Sequence, residues 1–435
     1  MNFYSQNLPY TQDAAGYFSA LVKLPWAVWL DSGGMGRYDI LTAAPHHTRV
    51  LSDLDADPFI LLRKELGEPV PSVADLPFAG GVLGYWAYDL ASRHEQGREG
   101  LPDMMVGIYD WALVVDHKAH TARLVSHQKF PETSALLVQI FACLQLPVPQ
   151  VDDTFHVQGK IVCNFTREGY AAAFDCVQDY LHAGDCYQVN LAQRFEARAT
   201  GDAFAAYLKL REMSPAPYSA FLNFPKIQIL CASPERFISV RGRSVETKPI
   251  KGTRPRDRDA VLDAQLAAEL SVHPKDRAEN LMIVDLLRND LGKCCTTGSV
   301  HVPNLFAIES YADVHHLVST VQGELAGGQD ALNILSHCFP GGSITGAPKL
   351  RAMQIIEELE PNKRGVYCGA IGYIGFDGNM DTNIVIRTLV YSDHTIRCWA
   401  GGGLVADSVC DAEYQETFDK AAAILKLLHL YGADD

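Results

Sequence analysis

The sequence predicts an α+β fold, and three observations lead to that class. Strands late in the chain follow one another across an Asp-Gly turn at residues 377–378 and a Ser-Asp turn at residues 392–393, which is typical of antiparallel hairpins. Helical stretches interrupt the strands at irregular intervals, so a regular βαβ alternation is not indicated. No segment repeats with a period of about 20–50 residues, which argues against a solenoid or a propeller.

Short apolar runs bounded by Gly, Asp or Pro predict the strands. In the first part of the chain they are Trp26–Leu30, Gly81–Tyr88 and Trp111–Asp116. In the later part they are Ile227–Ala232, Ser244–Thr247, Gly369–Phe376, Asn383–Tyr391 and Thr395–Ala400.

Longer stretches with helical periodicity predict the helices. They are Arg167–Ala183, Asp259–Ser271, Lys275–Leu291, Ala331–Cys338, Lys349–Leu359 and Ala412–Leu430. Prolines and acids change the composition at Leu144–Gly159, between the two patterned parts of the chain. We interpret that segment as a linker or long loop.

The charge balance limits the kinds of partner. The chain carries 37 basic and 52 acidic side chains, a net charge of −15. Phosphate backbones would be repelled over much of such a surface, so no nucleic-acid partner is expected. A small anionic substrate is compatible with this charge, because a local site can be positive within a negative molecule.

The sequence indicates neither a membrane protein nor a secreted one. Residues 1–10 contain no basic segment followed by an apolar one, so no signal peptide is expected. The apolar run Leu24–Leu30 is too short to cross a bilayer. The eleven cysteines include no CxxC pair, and we expect buried free thiols in a reducing cytoplasm.

Acidic side chains on an apolar helical face form the first candidate site. In the predicted helix 275–291, Glu279 shares its face with Ile283 and Leu286. Asp276 lies one turn earlier on the same side. A carboxylate in such a position needs a cation or hydrogen-bond donors. Three interpretations fit this segment alone: a buried salt bridge with an arginine, a bound metal ion, and an acid at a helix end.

A second acid pair lies near the end of the chain. Glu413 and Glu416 are three residues apart and share one helical face. Two helices that each present an acid pair would form an all-oxygen site, which suits Mg²⁺ far better than zinc. The alternative is a solvated charged face, since the spacing does not require the helices to meet.

Lys251 is a candidate nucleophile. The stretch Lys248–Arg256 reads KPIKGTRPR, in which prolines stiffen the backbone and Gly252 allows close approach to a ligand. Neighbouring positive charge and an apolar setting both lower the pKa of a lysine, which predicts a neutral and nucleophilic amine. A basic loop that only binds an anion is the alternative.

Glu235 is a candidate general acid. It follows the predicted strand 227–232 beside the Ser233–Pro234 turn, and a carboxyl at a strand end is suitably placed for that role. A surface ion pair with Arg236 explains the same position.

Two glycine-rich segments are able to bring backbone amides close to an anion. Phe339–Lys349, FPGGSITGAPK, lies between two predicted helices. It superficially resembles a phosphate-binding loop, but it has no Lys-Ser/Thr pair after a glycine, and nucleotide binding is not expected. Ala400–Ser408, AGGGLVADS, follows a strand directly, and a β-bulge is the simpler explanation of its glycines.

Taken in order, these segments resemble the chorismate-binding enzyme family. The motifs are SPERF, PIKGTRPR, DRAENLMIVDLLRNDLG, HHLVS, FPGGSITGAPK, AGGGLVADS and EYQETFDK, with the weaker GGVLGYWAYDL at residues 80–90. The resemblance is densest between Glu168 and Leu430. It implies the family fold, a large antiparallel two-sheet core with surrounding helices, like that of anthranilate synthase component I. It also implies that residues 1–145 contribute strands to the shared core and that residues 158–433 form a chorismate-binding catalytic region.

The resemblance implies roles for individual residues. Glu279 and Glu416 are implied as direct Mg²⁺ ligands, with Asp276 and Glu413 in support. The family more often has glutamate at the position of Asp276. The residues implied to hold the ring and carboxylates of chorismate are Gly252, Thr253, His316, Thr345, Tyr367, Arg387, Gly401 and Gly403.

Lys251 distinguishes the branches of this family. Relatives that add ammonia or water at C2 generally have alanine at its position, so the lysine resembles the branch that aminates C4. The implied reaction joins Lys251 to C2 while Glu235 protonates the departing C4 hydroxyl. Ammonia then attacks C4 and gives 4-amino-4-deoxychorismate, on the route to 4-aminobenzoate and folate. An anthranilate or isochorismate product is the alternative.

The ammonia is expected to come from a partner. The sequence contains no Gly-x-Cys-x-Gly segment, the motif of a glutamine amidotransferase nucleophile. A separate glutamine amidotransferase subunit is therefore expected to supply ammonia to this chain.

Overall fold

The computed structural model describes residues 3–52, 57–91, 100–311 and 314–432. Within these residues the chain forms 22 strands and ten α-helices. The outer ends of the two regions expected from the sequence, residues 1 and 433, lie outside the described residues. None of the described helices combines the length and the apolar character that crossing a bilayer requires.

The strands are mostly short and follow one another in runs. In chain order they are β1 (Tyr4–Leu8), β2 (Ala27–Asp31), β3 (Tyr38–Thr42), β4 (His47–Leu51), β5 (Gly81–Trp86), β6 (Met104–Tyr109), β7 (Ala112–Asp116), β8 (Thr121–Ser126), β9 (His156–Cys163), β10 (Gln188–Thr200), β11 (Tyr218–Phe224), β12 (Ile227–Ser233), β13 (Arg236–Arg241), β14 (Ser244–Thr247), β15 (Ile250–Pro255), β16 (His301–Ser310), β17 (Val314–Glu324), β18 (Gly346–Ala347), β19 (Ala370–Gly375), β20 (Met380–Ile384), β21 (Thr388–Ser392) and β22 (Thr395–Leu404).

The helices range in length from seven to 21 residues. They are α1 (Ala15–Leu21), α2 (Pro58–Leu66), α3 (Thr133–Leu144), α4 (Arg167–Ala183), α5 (Ala203–Met213), α6 (Ala260–Val272), α7 (Pro274–Gly292), α8 (Ala331–Cys338), α9 (Lys349–Leu359) and α10 (Cys410–Leu430).

Two antiparallel sheets form the core of the described chain. The larger has 12 strands in the order β1-β8-β7-β3-β2-β11-β12-β21-β22-β10-β18, with β9 also on β10. The smaller has ten strands in the order β15-β17-β14-β13-β20-β19-β5-β6-β4, with β16 also on β17. Both sheets combine early and late strands, since β2 pairs with β11 and β5 pairs with β19. The expected α+β class and two-sheet core are confirmed.

Alternation along the strands divides the apolar residues between two cores. Val28 and Ile229 of the larger sheet pack in one cluster with Ile371 of the smaller sheet, between the two sheets. Their sequence neighbours Trp29 and Leu230 belong to a second cluster, together with side chains of α1, α5 and α10. Helices therefore cover the outer face of the larger sheet, as its second apolar face requires.

The single strand predicted at Asn383–Tyr391 is wrong. β20 ends at Ile384 in the smaller sheet, and β21 begins at Thr388 in the larger one. The chain changes sheets between them, and Arg387 has a positive φ of 50° at this point. The apolar residues 384–386 run across the break, and no glycine or proline marks it, so the strand pattern looks continuous.

The glycines of the AGGGL segment lie inside β22, and the bulge interpretation is wrong. β22 pairs with β10 in unbroken register from Thr395 to Leu404. A Cβ at Gly403 would lie 1.8 Å from Gln188 Nε2, and a Cβ at Gly401 would lie 2.7 Å from the Leu191 carbonyl oxygen. Glycine is required because neighbouring groups pass close over the strand.

Candidate active site

Two of the crossings between the sheets lie side by side, and each of these two carries a predicted site residue. Glu235 lies between β12 and β13, and Arg387 lies between β20 and β21. The Ile384 N–H donates to the Glu235 carbonyl at 3.0 Å, and the Ala232 N–H donates to the Arg387 carbonyl at 3.1 Å. These backbone bonds fix the two side chains beside each other at the junction of the sheets.

A cavity of about 820 Å³ opens at this junction. The residues that line it include every predicted site residue except Thr345, namely Glu235, Lys251, Gly252, Thr253, Asp276, Glu279, His316, Tyr367, Arg387, Gly401, Gly403, Glu413 and Glu416. They come from β15, α7, β17, β22, α10, the segment between α9 and β19, and the two crossings. The fold brings them into one space.

The Lys251 amine points into the cavity and pairs with an acid. Its Nζ donates to Glu279 Oε1 at 2.8 Å and to the Ser343 carbonyl at 3.4 Å. Burial by itself lowers the pKa of Lys251, but the charge of Glu279 and its hydrogen bond outweigh this, and the pKa is raised. The predicted neutral amine is therefore wrong in this arrangement. The basic neighbours in sequence do not decide its charge, since Lys248 itself pairs with Glu309.

Glu235 is almost completely buried, with 6% of the residue exposed. Its Oε1 accepts a hydrogen bond from Ser343 Oγ at 2.8 Å. Burial raises the pKa of Glu235 to about 7, although the Ser343 hydrogen bond and the charge of Lys251 both act in the opposite direction. A carboxyl that keeps its proton near neutral pH is suited to general acid catalysis. The ion-pair alternative is wrong, because Arg236 pairs with Glu246 and Asp381.

Arg387 and His316 give the cavity a cationic and a neutral donor. Within the described residues no acceptor is hydrogen-bonded to the Arg387 guanidinium. Burial lowers the pKa of Arg387, and the negative charge of Glu235 acts in the opposite direction. A guanidinium of this kind matches the geometry of a carboxylate. His316 Nδ1 lies 2.9 Å from Thr253 Oγ1. Burial and the nearby charge of Arg387 lower the pKa of His316 to about 4, so its ring is neutral at pH 7.

The acids of α7 and α10 meet at the glycines of β22. A Cβ at Gly402 would lie 3.1 Å from Glu413 Oε2 and 3.4 Å from Glu416 Oε1. A Cβ at Gly403 would lie 3.2 Å from Glu279 Oε1. The two helices therefore face each other across these glycines, as a shared site requires.

Each of these acids has a basic partner in the structure. The pairs are Glu279 with Lys251 at 2.8 Å, Glu416 with Lys420 at 2.6 Å, Asp276 with Arg254 at 3.2 Å and with His273 at 2.9 Å, and Glu413 with Lys275 at 4.0 Å. Across the described part of the chain, no three His, Cys, Asp or Glu side chains lie close enough together to hold a metal ion. Of the three interpretations of Glu279, the salt bridge is the one that this structure contains, with Lys251 rather than an arginine as the partner. The donor set nevertheless fits Mg²⁺ by type, because that ion commonly takes one or two carboxylates and completes its shell with water.

Thr345 lies outside the cavity lining. It is fully buried, and its Oγ1 donates to the carbonyl oxygens of Gly341 and Gly342 at 3.1 and 3.3 Å. Lys349 at the end of the same motif donates to Asp290 Oδ2 at 2.5 Å. These contacts stabilise the loop between α8 and α9, and the Thr345 hydroxyl does not face the cavity.

Sequence reasoning missed several lining residues, among them Ser343, Lys420 and Trp399. Lys420 had a signal, because it follows Glu416 by four residues on one helix. Trp399 stacks on Tyr367, with ring centroids 6.1 Å apart and planes at 8°. Ser343 had no signal in the local sequence, because its partners Lys251 and Glu235 are 92 and 108 residues away.

The fold and this cavity define an enzyme with the anthranilate synthase component I-like fold. The crystal structure of anthranilate synthase component I from Streptococcus pneumoniae TIGR4 is similar, with a TM-score of 0.80 and 34% identity, over 89% of this chain and 92% of that chain. The family described as chorismate binding enzyme matches residues 28–426, and the chain belongs to this family.

Two relatives show which members of the family the chain is similar to. It is 49% identical to aminodeoxychorismate synthase component 1 of Escherichia coli (strain K12), over 97% of each chain. It is 38% identical to anthranilate synthase component 1 of Thermus thermophilus, over 95% of this chain and 94% of the relative. The choice between these activities rests on the residues in the cavity.

Proposed function

We propose that this chorismate-binding enzyme converts chorismate and ammonia to 4-amino-4-deoxychorismate, the activity that the name of its 49% identical relative describes. The observation that carries the proposal is a lysine amine, Lys251, and a protonatable buried acid, Glu235, that face the same cavity. A lysine and an acid in one water-restricted space supply a nucleophile and a proton donor for one displacement.

The proposed substrate position follows from the donors of the cavity. The guanidinium of Arg387 offers two parallel N–H groups to one carboxylate of chorismate. His316 and Thr253, joined at 2.9 Å, offer neutral donors beside it. Gly401 and Gly403 of β22 line the same cavity beside these donors.

In the proposed first displacement, the Lys251 lone pair forms a bond to C2, both ring double bonds shift by one position toward C4, and the C4–O bond breaks. Glu235 gives its proton to the departing oxygen, which leaves as water. A Lys251 side chain that donates to Glu279 as an ammonium is not nucleophilic, so it has to transfer one proton to the Glu279 carboxylate before attack.

In the proposed second displacement, ammonia forms a bond to C4, both double bonds return to their original places, and the C2–N bond to Lys251 breaks. The proton that ammonia loses restores the Glu235 acid. Lys251 leaves as a neutral amine that takes its proton back from Glu279. Chorismate and ammonia thereby become 4-amino-4-deoxychorismate and water, and the enzyme is unchanged.

We also propose Mg²⁺ as the cofactor, with Glu279 and Glu416 as direct ligands and Asp276 and Glu413 in support. When bound, this ion supplies the positive charge that anchors the ring carboxylate. The convergence of three of these acids on Gly402 and Gly403 supports the proposal.

A glutamine amidotransferase subunit is the proposed ammonia source, supported by the words "component 1" in the name of the relative. The proposed pathway leads to 4-aminobenzoate and folate, in the cytoplasm. All eleven cysteines lie within the described residues as free thiols, which supports a reducing compartment.

Product identification tests the proposed function. The purified chain is incubated with chorismate, ammonium and Mg²⁺, and the products are separated by chromatography. We expect 4-amino-4-deoxychorismate.

Lys251→Ala should reduce the formation of this product by more than about 10³-fold, as loss of a nucleophile does. Lys248→Ala, a lysine outside the cavity lining, should keep the activity. Anthranilate fluorescence from the wild-type chain would instead establish the anthranilate synthase alternative, which the Thermus thermophilus relative favours.

A further inference from the structure

Within the part of the chain that the structure describes, Ser343 is the one residue with hydrogen bonds to both of the proposed reacting side chains. Its Oγ donates to Glu235 Oε1 at 2.8 Å. Its carbonyl oxygen accepts from Lys251 Nζ at 3.4 Å. The acid lies at the crossing between β12 and β13 and the amine lies on β15. Ser343 bridges them from a third segment, the loop between α8 and α9.

The loop that carries Ser343 is held at both sides. The Arg364 guanidinium, which is completely buried, donates to the Ile344 carbonyl at 2.9 Å and to the Asn190 carbonyl at 2.8 Å. Lys349 ties the far end to Asp290 and to the Cys338 carbonyl at 2.8 Å. Ser343 therefore has little freedom to turn away from its partners.

Close packing fixes the approach to Ser343 as well. A Cβ at Gly341 would lie 2.5 Å from Ile384 Cδ1, and a Cβ at Gly342 would lie 2.4 Å from Leu286 Cδ2. A larger residue at either position would displace the side chain of Ile384 or Leu286, so the backbone passes closely between these two side chains. The resulting path delivers the Ser343 hydroxyl to a carboxyl that is itself 6% exposed.

We infer that Ser343 is a positioning residue, which holds the Glu235 carboxyl toward the cavity and sets its separation from the Lys251 amine. The inference rests on the proposed function, because it assigns Ser343 a part in the same displacement. The hydroxyl directs its hydrogen to one carboxyl oxygen, so the proton of a neutral Glu235 belongs on the other oxygen, which is left to face the substrate.

Other groups also act on Glu235, and the test has to separate them from Ser343. The charged or titratable groups that face it are Lys251 on β15, Lys420 on α10, Arg387 at the second crossing and Cys368 before β19. Among these influences, Ser343 acts through a hydrogen bond that favours the ionised carboxylate. Removing that hydroxyl therefore raises the pKa of Glu235 further, which is the opposite of what added positive charge does.

The experiment compares wild type and Ser343→Ala as full-length chains with chorismate, ammonium and Mg²⁺, at a fixed concentration of free ammonia. We expect kcat to fall by about tenfold to a hundredfold, less than the roughly 10²–10⁴-fold that general acid catalysis contributes, because the acid itself remains. KM should change by less than about threefold. The alkaline limb of the kcat profile should move to higher pH. Ser343→Cys, which keeps the volume but has a weak donor, should fall between the two.

Ser126→Ala is the matched control, because Ser126 is a fully buried hydroxyl outside the cavity lining. It should leave kcat and the pH profile unchanged. An unchanged kcat in Ser343→Ala overturns the inference, and so does a reduced kcat with an unmoved alkaline limb, which is what a purely structural serine would give. If Ser343→Ala does not fold, Ser343→Cys decides by the same two readouts. A wild-type chain that makes no 4-amino product rejects the proposed function instead, which keeps the two failures distinct.

Discussion

Charge at a buried residue depends on partners that are distant in sequence, and Lys251 is the example. Its neighbours Lys248 and Arg254 are basic, but both are turned toward acids of their own, Glu309 and Asp276. The group that reaches the Lys251 amine is Glu279, on another element. The local charge pattern around Lys251 therefore predicted the wrong protonation state. The same pattern correctly indicated that this side chain lies in the site.

Glu235 leads to a prediction about pH. Its pKa is raised by burial to about 7, so the protonated form predominates below that pH and is lost as the pH rises through it. We expect kcat to fall on the alkaline side of about pH 7, measured as chorismate consumption with free ammonia held constant. Glu235→Gln should lower kcat by about 10²–10⁴-fold and abolish this limb. Glu212→Gln, an exposed glutamate paired with Lys209, is the control. A wild-type limb that survives in Glu235→Gln belongs to another group and would contradict the assignment.

At the scale of the element, local sequence determined helices better than strands. α4, α8 and α9 begin and end at the residues expected from the sequence. Two of them have local capping, with Thr166 and Asp330 accepting backbone N–H groups, and Gly184 in the left-handed region after α4. Such signals lie within a few residues of the boundary. The strand Asn383–Tyr391 failed because its break is imposed by two sheets that meet there.

Site residues could be predicted where the local sequence placed reactive side chains in a recognisable pattern. Acids spaced for one helical face gave Glu279 and Glu416, and a lysine among prolines gave Lys251. Ser343 and Trp399 could not be found in this way, because their importance lies in contacts that exist only after the sheets have assembled. Thr345 was named through the resemblance, and the structure places its hydroxyl on its own loop.

Helix α10 leads to a prediction about the metal. Glu416 lies at the cavity beside Gly402 and carries Lys420 as its partner. Glu416→Gln should weaken Mg²⁺ binding by at least about tenfold. Mutation of a residue that only hydrogen-bonds to a metal ligand already lowers metal affinity by about that factor. Isothermal titration calorimetry with Mg²⁺ alone measures this without turnover. Asp411→Asn, near the start of the same helix and paired with Arg167, should bind Mg²⁺ as the wild type does. Equal affinities in the wild type and Glu416→Gln would remove Glu416 from the ligand set.

At the scale of the molecule, the early and late parts of the described chain meet at one seam in each sheet. In the larger sheet β1, β8, β7, β3 and β2 precede the seam, which is the β2–β11 pair from Ala27–Asn223 to Asp31–Ser219. In the smaller sheet the seam is the β5–β19 pair, from Gly81–Gly375 to Trp86–Ala370. The described residues that line the cavity all follow residue 189. We therefore propose that residues 158–433 carry the chemistry and that residues 1–145 complete the sheets.

This arrangement predicts the behaviour of a divided chain. Residues 145–155 connect α3 to β9 outside both sheets, so a cut between Gln150 and Val151 breaks no strand. Either fragment alone exposes two buried strand edges, one in each sheet, with unpaired backbone groups and apolar faces. We expect fragments 1–150 and 151–435 to aggregate or remain unfolded when expressed separately. Co-expressed, they should purify together and form 4-amino-4-deoxychorismate, because the two seams restore every strand pair. A chain with a protease site inserted after Gln150, left uncut, controls for the insertion. The interwoven core would be refuted by a monomeric 151–435 fragment that unfolds cooperatively and makes the product at the wild-type rate.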